Sequence, residues 1–438
     1  MKRVLAIMVS ILFSMPALSQ DVEEAASDPK NIFPDAAEIG GSEILALRDN
    51  YLNQRGWSLG FSSSNPNGAY IGWGSASIQI NPESVTYGRA RIAAIDAAIL
   101  QAIGEFTLSL GRETVTETIS EIMQDPNALQ NAKEASISQY YEAVESRLKN
   151  LTVAQLDALL ENLGVDSSEH VQLNFAKKVD LARESVSKQI IRTAAEQFNG
   201  IRVISTFEEK NQVGALVIYH PKLRQFAQDV LNGTFVTKGT EFSESAIEQA
   251  IGGLSSEELI FVHGLRVLKD SDGNRVIIAF GQASPEITRM DSAMKQRMAI
   301  NAAQREADLR ADGFISEFLD SFVEVNEQQL TESVARISTE VSGNRTRETE
   351  STEFGNSLRS LIRQSSASDL SGVVTVKNWR ANHPDTGHLY AGSIKMWSPT
   401  TDAAFTGRLQ QKAATEAEFT DNVDVSARQS SDVGNEDW

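Results

Sequence analysis

The 438-residue chain contains no cysteine. This absence excludes disulfide bonds, thiolate zinc sites and cysteine nucleophiles. It also excludes a lipid anchor on a cysteine side chain. A protein of this kind gains its stability mainly from burial, and a length of 438 residues with 41% hydrophobic content permits a sizeable core in two or more domains.

Basic residues are fewer than acidic ones. The chain has 40 Lys and Arg against 59 Asp and Glu, which gives a formal net charge of −19. Nucleic acid and anionic lipid surfaces both attract cationic proteins, so this balance disfavours both as partners. We expect no nucleic-acid ligand.

Long hydrophobic runs are also lacking, apart from one at the amino terminus. Met1–Arg3 is basic, and Val4–Phe13 is apolar but too short to span a bilayer. Pro16–Ser19 then places small residues before a cleavage point at Gln20. This pattern predicts a signal peptide over 1–19, export to the periplasm or medium of a Gram-negative bacterium, and no transmembrane segment after cleavage. The alternative is an uncleaved membrane anchor.

Two rows of alanines at four-residue spacing are the most distinctive positive feature. Each row follows a Gly-x-Ala-Ser sequence, Gly74–Ser77 in one case and Gly281–Ser284 in the other. The rows are Ala90, Ala94, Ala98 and Ala102, and Ala299, Ala303, Ala307 and Ala311. Such spacing forms one stripe on a helix, where small side chains allow close packing on a sheet or another helix. The two copies indicate an internal duplication.

The segments around each row repeat the same order of hairpin, helix and hairpin. In the first copy we predict strands at 57–61 and 69–73, a helix over 84–110, and a hairpin of 201–207 with 214–219. In the second we predict strands at 258–268 and 275–280, a helix over 285–326 with Ser284 as N-cap, and a hairpin of 372–379 with 387–397. The predicted fold class is α+β, with two related two-layer domains.

A long helical insertion interrupts the first copy, over about 113–198. One helix follows Thr152 as N-cap and ends near Gly164, and a second covers about 168–199, so the two indicate a helical hairpin. The expected domain boundaries are a linker at 20–40, a first domain at 41–235, a second at 236–408 and a disordered acidic tail at 409–438.

A family resemblance rests on the two helix-preceding motifs and the helices after them. Gly74–Ser77 with Tyr87–Ala98, and Gly281–Ser284 with Arg297–Ala307, resemble the LPP-type outer-membrane lipoprotein domain of bacterial envelopes. Related modules occur in the flagellar outer-membrane ring. The whole chain resembles an uncharacterised family of exported proteobacterial proteins. The resemblance implies a structural role in the envelope and carries over no catalytic residue.

Candidate chemistry is sparse. His383, Asp385 and His388 form the one compact set of potential metal ligands, although Pro, Asp and Gly in that loop also explain a plain turn. Asp270–Asn274 is similar to a calcium loop but lacks the distal glutamate, so a turn is again favoured. We find no phosphate-binding loop and no nucleophile elbow. No catalytic, cofactor-binding or metal residue is therefore assigned, and no cofactor is expected.

Four tryptophans fall on the predicted hairpins, namely Trp57, Trp73, Trp379 and Trp397. They indicate either sheet core or an exposed aromatic face for a protein or glycan. The sequence favours a non-catalytic envelope protein that acts in binding or assembly on a protein partner, with a homo-oligomer left open. The alternative is a hydrolase or small-ligand-binding protein with its site between the two domains.

Overall fold

The computed structural model describes residues 44–125, 129, 132, 137–234, 251–269, 274–288, 290–320, 330–332, 334, 347–365 and 371–406. The predicted signal peptide, linker and acidic tail lie outside the described residues, as do residues 270–273 of the predicted turn.

The described elements follow one another as helices and antiparallel strands. The helices are α1 Ile44–Arg55, α2 Tyr87–Met123, α3 Ile137–Leu148, α4 Val153–Asn162, α5 Ser167–His170, α6 Phe175–Gln197, α7 Pro221–Leu231, α8 Ala293–Asp320 and α9 Arg347–Ser365. The strands are β1 Gly60–Phe61, β2 Tyr70–Ser77, β3 Ile201–Glu209, β4 Gln212–Tyr219, β5 Gly264–Lys269, β6 Arg275–Ala283, β7 Val374–Asn382 and β8 Leu389–Trp397.

Two four-stranded sheets of identical topology confirm the α+β prediction. Their strand orders are β1-β2-β4-β3 and β5-β6-β8-β7, and the strand pairs are antiparallel. Strands β3 and β7, the third in chain order within each sheet, have a register shift at the corresponding place. The shift lies between Val203 and Ser205 in β3 and between Thr375 and Lys377 in β7. We call β1–β4 with α2 the first repeat, and β5–β8 with α8 the second repeat.

The alanine rows pack each long helix on its sheet, as the spacing predicts. A Cβ added to Gly74 would lie 2.0 Å from the carbonyl oxygen of Ala98, and one added to Gly281 would lie 2.0 Å from that of Ala307. Backbone therefore meets backbone in both repeats, which requires glycine on the strand and small residues on the helix.

Helix α2 is longer and more central than predicted. It continues to Met123 instead of ending near Leu110, because its second half is buried by α6 and α9. It is also long and apolar enough, by length and composition, to cross a membrane, which corrects the expectation that no such stretch follows the amino terminus. Burial within the fold accounts for that composition, since 72% of its most apolar window is inside the protein.

Helix α9 was missed in the sequence. It occupies the same topological position in the second repeat as the helical insertion does in the first, and it crosses α2 closely at Gly104 and Gly355. In the first insertion, Thr152 forms a capping box with Gln155, and Gly164 has the positive φ expected of a residue that follows a helix end.

Several local predictions are wrong. Helix α8 begins at Ala293, and Ser284 is not its N-cap because the Ser284 hydroxyl donates to the carbonyl of Leu389. Residues Glu258–Phe261 form a 3₁₀ turn before β5 instead of part of that strand. Trp57 lies outside the strands, and the second insertion helix is divided into α5 and α6.

Candidate functional site

The two repeats meet along the first half of α2. One side of this half packs on the first repeat's own sheet, and another side meets the second repeat at Gly88, whose added Cβ would lie 2.0 Å from the Ser284 hydroxyl. Ile92 is 1% exposed and joins the second repeat's core. The helix of the first repeat therefore packs directly on the second repeat.

A buried arginine organises one end of this contact. Arg91 on α2 is 1% exposed, and its Nε donates to Glu208 on β3 at 2.7 Å while a terminal nitrogen donates to the carbonyl of Ile260 at 3.2 Å. The guanidinium also lies 5.2 Å from the ring centre of Tyr390. Burial opposes ionisation of Glu208, but the charge of Arg91 and the hydrogen bond from its guanidinium, with the imidazole of His383 nearby, outweigh it and lower its pKa to about 2.

A second, partly buried cluster lies one turn further along α2. Asp96 lies 3.0 Å from Nε2 of His263 and accepts a 2.8 Å hydrogen bond from Arg310 of α8. Burial opposes ionisation of Asp96, yet His263 and the nearby arginines hold its pKa well below the usual value. Burial is also the largest influence on His263 and lowers its pKa despite the neighbouring carboxylate. The cluster ties both repeats together.

The loop that holds His383, Asp385 and His388, the potential ligands noted in the sequence, does not bring the three residues together. The Nδ1 atom of His383 accepts the backbone N–H of Asp385, so Nε2 carries the proton and faces Glu208 at 3.4 Å. His388 turns to the other side, stacks on Tyr87 and donates to the carbonyl of Pro82. Within the described part of the chain, no group of three His, Asp or Glu side chains is arranged to hold a metal ion.

The His–carboxylate pairs resemble parts of a catalytic triad only superficially. A triad needs a nucleophile within hydrogen-bond reach of the histidine and access for substrate. His263 is 0% exposed, and its Nδ1 atom has no hydrogen-bond partner, either nucleophilic or structural, in the described structure. Two clusters of ion pairs and hydrogen bonds between packed surfaces are better suited to fixing the orientation of the repeats.

A cleft between the repeats is small. It is lined by apolar residues of both repeats, including Ile103 and Phe318, and by the ion pair of Glu317 with Arg359 at 3.0 Å. Its free volume is about 40 Å³. That is room for one or two water molecules, whereas pockets for small organic ligands usually measure roughly 300–1,000 Å³.

The four tryptophans of the described residues pack within the protein. Trp379 and Trp397 are buried on the strands of the second sheet, and Trp379 lies against Gly392 where a side chain would collide with it. Trp57 and Trp73 are partly buried beside α1. The core interpretation therefore describes these side chains, and they do not form an exposed aromatic face.

An apolar surface appears instead on the outer side of α8. Met294 is 73% exposed, Met298 is 63% exposed and Leu309 is 70% exposed, all opposite the buried alanine row. Met290, just before the helix, is 99% exposed. We define the α8 stripe as Met294, Met298, Asn301, Ala302, Arg305 and Leu309. Large apolar side chains exposed along one side of a helix mark contact surfaces, and methionine adapts its shape to a partner.

Sequence reasoning missed both the buried clusters and the α8 stripe. Arg91 and Asp96 had a signal, since each is a charge within an apolar, alanine-rich helix. Met290, Met294 and Met298 also recur every four residues. Which side of the helix faces solvent depends on the sheet beneath it, so the spacing alone does not separate core from surface.

Comparisons with known proteins show a similar fold but indicate no activity. A family model described as a domain of unknown function, DUF6844, matches residues 141–232, which run from α3 to the end of α7. The crystal structure of a hypothetical protein from Francisella tularensis is similar, with a TM-score of 0.50 and 17% identity, covering 87% of this chain and 100% of that one. No curated protein matches the chain. At this identity the likeness concerns the fold alone.

Proposed function

We propose that the protein is a non-catalytic binding or assembly component of the bacterial envelope, and that it works through the α8 stripe. The observation that carries the proposal is the exposure of Met294, Met298 and Leu309 along one side of a well-packed helix. These apolar side chains are exposed to water in the isolated chain. A protein partner that covered them would gain the favourable free energy of burying their surface.

The interior of the molecule supports a binding role over a catalytic one. The acids and histidines at the repeat contact are used in ion pairs and hydrogen bonds, and the cleft beside them has room for water only. Placement in the periplasm or outside the cell rests on the basic and apolar segment Met1–Ser19. The resemblance to outer-membrane modules favours the same compartment.

The test is site-specific photo-crosslinking in living cells of the native host. A benzophenone amino acid at Met298 should give a discrete, heavier adduct on irradiation. The matched control is the same amino acid at Val171, which is 56% exposed in the insertion and far in sequence from α8. Adducts of equal yield from both positions, or none from Met298, would contradict the proposal.

A further inference from the structure

The α8 stripe has a charge pattern that is complementary to itself. On a helix of 3.6 residues per turn, Lys295 and Glu306 lie on one flank of the stripe, while Arg297 and Asp308 lie on the other. Each flank thus carries a cation near the amino end and an anion near the carboxyl end. This distribution is the one that an antiparallel copy of the same helix would match.

We propose that the partner is a second copy of this chain, docked through α8 in an antiparallel pair about a two-fold axis between Asn301 and Ala302. This inference rests on the proposed function, because it names the partner of the same surface. Under such an axis each flank meets the same flank of the other copy in reverse order. Lys295 then faces Glu306 of the second copy, and Arg297 faces its Asp308.

The apolar residues follow the same symmetry. Met294 of one copy lies opposite Leu309 of the other, and the reverse pair forms at the far end of the contact. Met298 lies opposite Arg305, whose aliphatic stem can cover a methionine while its charge stays in water. The small side chain of Ala302 near the axis allows close approach of the two helices.

The acidic members of the flanks remain available for such contacts. The side chains of Glu306 and Asp308 are each 42% exposed; Glu306 also pairs with Arg310, and Asp308 also pairs with Lys395 and accepts a hydrogen bond from Ser393 within the chain. Lys295 is 68% exposed beside Asp291. Charge pairs at the edge of an apolar helix contact set its orientation and register more than its strength.

The contact is short, so the dimer should dissociate readily. Met294 to Leu309 spans about 22 Å of helix, and one helix pair of that length lies at the low end of interface sizes. We expect a dissociation constant of roughly micromolar order.

Sedimentation velocity of the mature chain, from about 1 to about 100 µM, is the first test. The expected result is a reversible monomer–dimer equilibrium, weakened roughly tenfold by Lys295→Glu because like charges then face each other. The double variant Lys295→Glu with Glu306→Lys should restore the wild-type equilibrium, since both reversed charges meet across the axis. A monomer throughout the range, or no effect of Lys295→Glu, overturns the inference.

Disulfide trapping is an independent test. Because the chain has no cysteine of its own, an introduced cysteine can form a disulfide only with the same residue of a second copy. Under mild oxidation Ala302→Cys should form a symmetric covalent dimer, because that position lies beside the axis. Val171→Cys, exposed but off the stripe, should stay monomeric. If Ala302→Cys also stays monomeric while Met298 crosslinks to another protein in cells, the second copy is the wrong partner and the proposed function stands. If Met298 gives no adduct either, both fail.

Discussion

Two glycines decide how closely the helices approach the sheets. Gly74 and Gly281 hold equivalent places on β2 and β6, and at each of them backbone faces helix backbone with no room for a Cβ. No flexible side chain can move aside there. The contact is repeated because each repeat uses the same helix-on-sheet packing.

Gly74→Ala and Gly281→Ala should each lower the free energy of unfolding by about 1–3 kcal/mol through overpacking. Urea denaturation of the purified chain measures this. The control is Gly313→Ala, where an added Cβ meets no atom within 4 Å and the helix interior favours alanine by up to about 1 kcal/mol. Stability unchanged by Gly74→Ala would show that the close approach is absent.

Ala98→Leu and Ala303→Leu test the packing of the alanine rows. Ala98 is fully buried and Ala303 is nearly so, and we expect each larger side chain to cost about 1–3 kcal/mol in the same assay. Ala93→Leu, at an exposed position of α2, should be close to neutral. If both buried variants were as stable in urea as the wild type, the alanine rows would not face a sheet.

At the residue scale, the sequence predicts the alanine rows but not the role of the two glycines. Alanines at four-residue spacing identify one helix face directly. The role of Gly74 depends on the distance between two elements that are apart in sequence, and no local pattern records that distance.

The contact of α2 with β3 and the second repeat depends on one buried charge pair. Arg91 and Glu208 are both largely removed from water, so each needs the other to remain ionised. Arg89, two residues earlier, makes an exposed pair with Glu286 of the second repeat. The two arginines therefore allow a comparison of buried and exposed pairs within one contact.

Arg91→Met should lower stability by about 3–5 kcal/mol, because it leaves the carboxylate of Glu208 buried without its main counter-charge. Arg89→Met should cost at most about 1 kcal/mol. Adding Glu208→Leu to Arg91→Met should recover much of the loss, which a double-mutant cycle in urea measures. Equal, small effects of the two arginine variants would contradict the account.

Elements with strong local signals were predicted well, and those shaped by the other repeat were not. The capped helix α4 follows from Thr152, Gln155 and Gly164. The carboxyl half of α2 and the whole of α9 cover each other, and their helices depend on that mutual burial. Ser284 followed by Pro285 is a good helix start in isolation, but tertiary contacts with Leu389 and Gly88 hold it outside the helix.

In the molecule as a whole, the contact between the repeats contains a histidine whose pKa is lowered on folding. His263 has its pKa lowered from 6.5 by burial, so it is neutral in the folded state at a pH where the unfolded chain is protonated. The stability it contributes is present above the unfolded value and is lost as pH falls. The contact between the two repeats should therefore become less stable as the pH falls.

Unfolding free energy should decrease between about pH 7.5 and pH 5.5, and His263→Gln should make that decrease smaller. His220→Gln should also make the decrease smaller, because burial lowers the pKa of His220, and the two variants separate the contributions of the two histidines. Urea titrations at a series of pH values give both slopes. A slope unaffected by His263→Gln would remove this residue from the pH response.

The duplication and the fold class could be read from the sequence because both repeats retain the same spacing of glycine, alanine and hairpins. The relation between the repeats could not. Asp96, His263 and Arg310 come from three separate segments, and only the assembled fold places them together. The exposed side of α8 is likewise defined by what packs beneath it.

The most direct test of the central claim is the accessibility of the α8 methionines in intact cells. Brief peroxide oxidation followed by mass spectrometry measures the rate at which each methionine becomes its sulfoxide. In dilute purified protein, Met294 and Met298 should oxidise rapidly, and Met396, which is 3% exposed, slowly. The account predicts that Met294 and Met298 are strongly protected in cells while the rate at partly buried Met123 is unchanged. Equal rates at Met294 and Met298 in cells and in dilute solution would contradict it.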